Sequence, residues 1–285
     1  MTTANDSDGY RGESLASWNE AAAGWGERHD WLFEQTRPVT AWLVEGVGPG
    51  PGQVILELAA GPGDVGLSIA EQIEPGARVI SSDFSPEMVG LARRNGAARG
   101  LTNVEYRVLD AQRLDLADES VDGAVCRWGF MLMADPGAAL HETRRVLRPG
   151  GRLAFAVWTS PDRNPWMAVP MAAAVAQGIV EPPAPDRPGP FGLGDPDLLR
   201  ALAREAGFSH PQIEEIPFAF HYRDFDEFWE SLVQLSGRLT AGLAAHTEPE
   251  REELRSLLAE KLGPFGEADG AYTMRASSWG VRVRR

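Results

Sequence analysis

The chain is predicted to fold as a doubly wound α/β protein, a mostly parallel sheet of seven strands with helices on both faces. Three observations carry this. An apolar run enters a glycine-rich turn and then a helical pattern at residues 54–66, VILELAAGPGDVG. Strand-like and helix-like segments alternate from there to residue 158, the rhythm of a parallel sheet with right-handed crossovers. Two later strand patterns, at residues 212–222 and 272–283, complete the sheet after that rhythm breaks.

Residues 1–13 are polar and expected to be mobile, after which Leu15, Trp18, Ala22 and Trp25 recur at helical spacing over residues 15–25. A second helix is expected over residues 36–45, with Thr36 as its cap and Pro38 in its first turn, until GVGPGPG breaks it. Val54, Ile55, Leu56 and Leu58 suit a strand buried on both faces. Val65, Ile69 and Ile73, spaced by four, form with Ala70 the apolar face of the helix that packs back on it. Strand two covers residues 78–82, and its helix runs from Ser85-Pro86 to about residue 99. Strands three and four cover residues 104–109 and 121–126. A helix capped at Asp135-Pro136 runs to residue 147 with Arg144, Arg145 and Arg148 near its negative end. The turn Pro149-Gly150-Gly151 then launches strand five, residues 152–158.

Beyond Trp158 the proline-rich stretch 161–194, with a short helical run around 167–177, reads as an insertion lying over a site. Residues 195–206 form a helix between the cap Asp195 and the stop Gly207, and strand six follows at 212–222. A second insertion, about 224–270, carries the apolar stripe Phe225, Phe228, Trp229, Leu232, Leu235 and a charged helix at 250–262. The expected division is a helical cap over 1–50, a cofactor-binding core over 51–160, and a part over 161–285 that completes the sheet and supplies both substrate-lid insertions.

Composition excludes several classes. Forty-one acidic against 27 basic residues give a formal net charge of -14, which repels nucleic acid and anionic lipid. The single Cys126 rules out a disulfide framework and a cysteine-rich zinc site, and no metal is expected. The start MTTANDSDGY lacks the apolar core of a signal peptide, and no run approaches the roughly 18 apolar residues of a membrane span. The expectation is a cytoplasmic protein with a small-molecule substrate; a homo-oligomer stays open.

The glycine turn alone leaves two cofactors open. Gly61, Gly63 and Gly66 meet the GxGxxG spacing of dinucleotide binders, with Asp83 about 20 residues downstream. The acid Glu57, inside the end of the strand and four residues before Gly61, separates the readings together with what later strands carry.

The ordered signposts ELAAGPG (57–63), SSDFSPEMV (81–89), LDAQRLDL (109–116), VDGAVCRWGF in strand four and RRVLRPGGRLAFAVW (144–158) resemble those of class I S-adenosylmethionine-dependent methyltransferases. The likeness is to the small-molecule group that includes ubiquinone and menaquinone C-methyltransferases, and it spans roughly residues 18–158. It implies a Rossmann-like sheet whose last strand is antiparallel, S-adenosyl-L-methionine as methyl donor and S-adenosyl-L-homocysteine as product. It also implies site residues. Ala59, Ala60, Gly61 and Gly63 would wrap the methionine part of the cofactor, and Glu57 would orient its amino group. Asp83 would accept the ribose hydroxyls, a charge-assisted arrangement. Phe84 and Met88 would flank the adenine, Asp110 would take its amine beside the Ala111 backbone, and Arg127 would offer its backbone carbonyl to the ammonium. Ala59 stands where the family carries its first glycine, and Ala60 where a cysteine or other small residue is common; both keep the turn narrow.

Methyl transfer from a sulfonium is an in-line displacement in which orientation supplies much of the acceleration. Aromatic faces suit a cation there, and Trp25, Trp128 and Trp158 are candidates for that wall. Trp128, Met131, Trp158 and Phe191 are the expected substrate contacts. None of the five histidines has a partner visible in the sequence, so no catalytic residue is assigned. Two rivals remain: an NAD(P)-dependent oxidoreductase with the same glycine spacing, and an S-adenosylmethionine-binding protein that does not methylate.

Overall fold

The computed structural model describes residues 4–73, 76–182, 184 and 187–285. Three helices lead the chain: α1 (Ala4–Glu27), α2 (His29–Gln35) and α3 (Arg37–Val47). The alternating part follows as β1 (Val54–Leu58), α4 (Asp64–Gln72), β2 (Arg78–Asp83), α5 (Pro86–Ala98), β3 (Val104–Val108), β4 (Val121–Arg127), α6 (Pro136–Val146) and β5 (Leu147–Trp158). Then come α7 (Pro165–Ala176), α8 (Pro196–Glu205), β6 (Ser209–Tyr222), α9 (Phe225–Leu235), α10 (Gly237–Ala244), α11 (Glu248–Leu262) and β7 (Tyr272–Arg284).

The seven strands lie in the order β3-β2-β1-β4-β5-β7-β6. The pairs β1·β2, β1·β4, β2·β3 and β4·β5 are parallel, and β7 runs antiparallel between β5 and β6. This is the Rossmann-like architecture, last strand included, that the sequence predicts. The order reverses between β1 and β4, so the loops leaving their carboxyl ends diverge and open a crevice, where ligands of such sheets bind. Ile55, Leu56 and Leu58 are buried on both faces of β1, each worth roughly 1.5–3 kcal/mol of apolar burial. Ser85 and Asp135 cap α5 and α6 by accepting from Met88 N and Ala138 N. Among the described residues no helix is long and apolar enough to cross a membrane.

Three expectations need correction. The polar start is helical from Ala4 onward rather than mobile to residue 13, because long-range partners hold it: the Tyr10 hydroxyl donates to Leu132 O (2.8 Å) and Arg11 pairs with Asp110. Residues 1–3 lie outside the described residues. Thr36 does not cap α3; α2 runs directly into it, and the Thr36 hydroxyl donates back to Leu32 O (2.8 Å). Strand five starts at Leu147, before the Pro-Gly-Gly turn, with a register shift between Val121 and Gly123 on its partner β4.

The two insertions pack on each other. Ala173 and Ala174 of α7, Leu239 and Leu243 of α10, and Leu254 and Leu258 of α11 form a small core of their own with Ile179 and Val180. The helical cover is therefore one packed unit rather than two independent loops.

At the hinge of the site, Glu57 at 2% exposure accepts Gly66 N (2.8 Å) and the Ser81 hydroxyl (2.7 Å), tying β1 to α4 and β2. A Cβ at Gly66 would collide with that carboxylate. Gly66→Ala is expected to lower unfolding free energy by about 1–3 kcal/mol, the usual cost of overpacking. Urea denaturation should show a lower midpoint at an unchanged slope, and an unchanged midpoint would contradict the tie.

Candidate functional site

The turn after β1 reverses the chain with three left-handed residues, Ala59 (φ 49°), Gly61 (φ 54°) and Gly63 (φ 89°). Each has a different reason. Nothing lies within 4 Å of where a Gly61 Cβ would stand, so that side of the turn is open for a ligand. Gly63 caps α4 with Ala92 3.0 Å from its missing Cβ, which packs the turn against α5 and takes Gly63 off the cavity wall. Ala59 holds a conformation that costs an L-residue about 1–2 kcal/mol, which accounts for glycine being usual there. Ala60 N donates to Ser82 O (2.9 Å) and Gly63 N to Ala60 O (2.9 Å), which ties the turn to the end of β2 and closes it on itself.

Three carboxylates share a cavity lining with it. Asp83, at the carboxyl end of β2, accepts Gly61 N on Oδ2 and Ser85 N on Oδ1, both at 2.9 Å. Burial raises its pKa, against the pull of the Ser85, Gly61 and Phe84 backbone donors. The carboxylate keeps acceptor capacity for a further donor. Burial likewise pushes Glu57 up to about 7, and both its oxygens serve protein donors. Asp110 accepts Gln112 N on Oδ1 (2.9 Å), while Oδ2 pairs with Arg11 of α1.

Beneath the turn lies a buried charge cluster. Asp64, the first residue of α4 and 0% exposed, bonds His29 Nε2 (2.8 Å) on one oxygen and the Arg127 guanidinium on the other. Arg127 also donates to the Thr36 (2.7 Å) and Thr40 (3.0 Å) hydroxyls. Burial works against the Asp64 carboxylate, yet Arg127 and His29 hold its pKa below the usual range. The hydrogen bond to Asp64 leads in raising the His29 pKa, opposed by burial and helped by the Asp64 charge and Asp30.

Residues 59–62 of the turn, the carboxylates Glu57, Asp83 and Asp110, and Arg127 border one cavity of about 740 Å³, within the 300–1,000 Å³ range of small-molecule sites. One half carries Glu57, Ala59, Ala60, Gly61, Asp83, Phe84, Met88, Asp110 and Ala111. The other is aromatic. Trp128 and Trp158 stack at 4.2 Å and 14°, Trp166 meets Phe220 at 4.4 Å, and Trp31 lies 5.2 Å from Tyr222. Met131 and Phe191 line the cavity too, and Trp25 of α1 reaches α9, its Nε1 donating to Leu235 O (3.3 Å). Trp128 is itself left-handed (φ 59°) and is anchored by Nε1 donating to the Ser278 hydroxyl (2.9 Å).

Every site residue expected from the sequence thus borders this cavity except Gly63. The sequence reading missed Tyr10, Arg11, Trp31, Trp166, Phe220 and Tyr222. The alternation Phe218, Phe220, Tyr222 is a period-two signal that marks one face of β6; nothing local marks Arg11 or Trp31. Cys126 is fully buried in the core and does not line the cavity, and burial pushes its thiol up to about 12.

Residues 55–151 match a family model described as a methyltransferase domain. The arsenite methyltransferase of Halobacterium salinarum is 30% identical over 186 residues, covering 65% of this chain and 44% of that protein. The demethylmenaquinone methyltransferase of Thermus thermophilus is 42% identical over 90 residues, covering 32% of this chain and 40% of that protein. The chain spans less than half the length of these two curated relatives. Among solved structures, the YcgJ protein of Bacillus subtilis superposes with a TM-score of 0.59 at 16% identity, over 86% of this chain and 97% of that one. Likeness at such identity is a likeness of fold.

The cluster under the turn makes stability pH-dependent with a definite sign. His29 binds its proton more tightly folded than unfolded, so its contribution is complete below about pH 6.5 and is lost as pH rises through the raised folded value. Unfolding free energy measured in urea from about pH 6 to pH 9 should fall more steeply in the parent than in His29→Gln. Parallel pH profiles would contradict the coupling.

Proposed function

We propose that this chain, which matches a methyltransferase-domain model over residues 55–151, binds S-adenosyl-L-methionine as class I methyltransferases do and transfers its methyl group to a small-molecule acceptor. The observation that carries the reading is the single cavity in which a turn-and-carboxylate half adjoins an aromatic half.

The donor set of the first half fits the cofactor. Asp83 offers its carboxylate to the ribose hydroxyls as a charged acceptor, beside the open face of Gly61. Phe84 and Met88 offer apolar surface to a flat base, and Asp110 an acceptor for its amine once Arg11 yields. Glu57, already bonded twice, acts on the amino-acid end by fixing the turn. Bound S-adenosylmethionine supplies an electrophilic methyl group on a sulfonium. The chain's own part is positioning: the hydrogen-bonded turn sets one partner, the stacked Trp128 and Trp158 and the cover set the other, and the apolar walls exclude water.

Among the described residues, the aromatic half presents no histidine and no carboxylate to the cavity. This supports transfer to an acceptor that is already nucleophilic or loses its proton without a strong side-chain base.

Isothermal titration with S-adenosylmethionine and S-adenosylhomocysteine tests the reading. Both should bind, NADH should not, and Asp83→Asn should weaken binding by about 1.5–3 kcal/mol, roughly 10- to 150-fold. Folded protein that ignores both ligands at millimolar concentration, or an Asp83→Asn variant of parental affinity, would refute it.

A further inference from the structure

The two halves of α1 are held in place by different means. In the second half Ala21 and Ala22 are buried with Met88 and Leu91 of α5, and Trp18 and Trp25 pack against them, edge-on at 5.7 Å. Of residues 8–20 none is buried, and among the described residues the helix before Trp18 supplies nothing to a hydrophobic cluster. Its ties are polar and reach three separate segments. The Tyr10 hydroxyl donates to Leu132 O (2.8 Å) beyond β4, Arg11 pairs with Asp110 beyond β3, and Glu13 pairs with Arg187 (2.7 Å) of the proline-rich stretch. Gly9 and Gly12, with open space where a Cβ would stand, weaken the helix itself.

This lightly held half nevertheless walls the pocket: Tyr10, Arg11, Ser14 and Ser17 line the cavity that Asp110, Phe84 and Met88 also line. Asp110 takes the Gln112 amide on Oδ1 and the Arg11 guanidinium on Oδ2. A ligand amine that seeks Oδ2 therefore meets Arg11 already there. The pair can yield, since its side chains are 38% and 23% exposed and partly exposed ion pairs are weak.

We propose that residues 4–17 of α1 form a gate over the nucleoside end of the pocket and that Arg11–Asp110 is its latch, broken when the adenine amine of the cofactor takes the Asp110 carboxylate. The contact is autoinhibitory: the ligand-free protein holds its own acceptor, and binding exchanges one partner for the other. The identity of the ligand rests on the methyltransferase reading; the latch itself does not. A contact made only in the ligand-free form lowers the fraction of protein ready to bind, so it slows association and leaves dissociation alone. A clamp on the bound ligand would do the reverse.

Stopped-flow tryptophan fluorescence on the full chain with S-adenosylhomocysteine tests the exchange. Arg11→Met should raise the association rate constant by roughly 1.5- to 5-fold, the range for a partly exposed ion pair, with an unchanged dissociation rate. The ligand carries no net charge, so salt acts mainly on the latch: going from about 0.05 M to about 0.5 M sodium chloride should speed association in the parent and not in the variant. Hydrogen exchange of the ligand-free protein tests the latch without any cofactor. Amides of residues 8–17 should exchange faster in Arg11→Met, while those of residues 21–25 and of β1 keep the parental rate and report an intact fold. Equal association rates, an effect confined to dissociation, or equal exchange over residues 8–17 overturns the proposal. Faster exchange in the variant, with no S-adenosylhomocysteine bound by either protein, leaves the latch standing and counts against the methyltransferase reading instead.

Discussion

Two buried carboxylates on neighbouring parallel strands hold the turn on which the site depends. Glu57 on β1 takes the amide of Gly66, and Asp83 on β2 takes that of Gly61. Between them they fix both ends of a reversal that three left-handed residues make possible. The strands themselves set this up: Glu57 pairs with Ser81 in the β1·β2 register, so Asp83 projects two residues beyond it, level with the turn. The arrangement costs desolvation, visible in the raised pKa of both acids, and it is repaid by amides that would otherwise be buried unpaired. A second layer, Asp64 with His29 and Arg127, braces the start of α4 from below and joins α2 and β4 to the same corner.

On this fixed corner the rest is an enclosure. α1 closes over the turn-and-carboxylate half through Tyr10 and Arg11, and α7, α9 and α10 cover the aromatic half with α11 packed against α7 and α10. The Arg11 pair occupies the oxygen of Asp110 that faces α1, so the same helix that shields the pocket competes for one of its acceptors. The aromatic wall draws on five separate segments: Trp31 from α2, Trp128 and Trp158 from the ends of β4 and β5, Trp166 from α7, and Phe220 and Tyr222 from β6. Only the antiparallel β7 between β5 and β6 lets those strands present side chains to one space.

The parts of this that the sequence made legible are those governed by local rules. Strand ends followed by Gly, Ser-Pro or Asp-Pro located the turn, Asp83 and the helix starts, because backbone sterics and capping act within a few residues. Glu57 stood out as an acid in an apolar strand. Illegible were the features whose partners lie far along the chain. The polar residues 4–13 carry no periodic signal, and their helix is held by Leu132 and Asp110. The Arg127 side chain was invisible as a brace because Asp64 and Thr36 come from other segments. Gly61 and Gly63 look alike in sequence, yet one faces open space and the other packs on Ala92. The Phe218, Phe220, Tyr222 alternation was present, but which face met the cavity depended on pairing with β7.

The most direct measurement is a crystal structure of the protein with S-adenosylhomocysteine. The account requires both ribose hydroxyls within about 2.6–3.2 Å of the Asp83 carboxylate oxygens, hydrogen-bond range, with the Gly61 amide still bonded to Asp83 and the sulfur turned toward Trp128 and Trp158. A nucleoside seated in the aromatic half, or a ribose with no contact to Asp83, would contradict it.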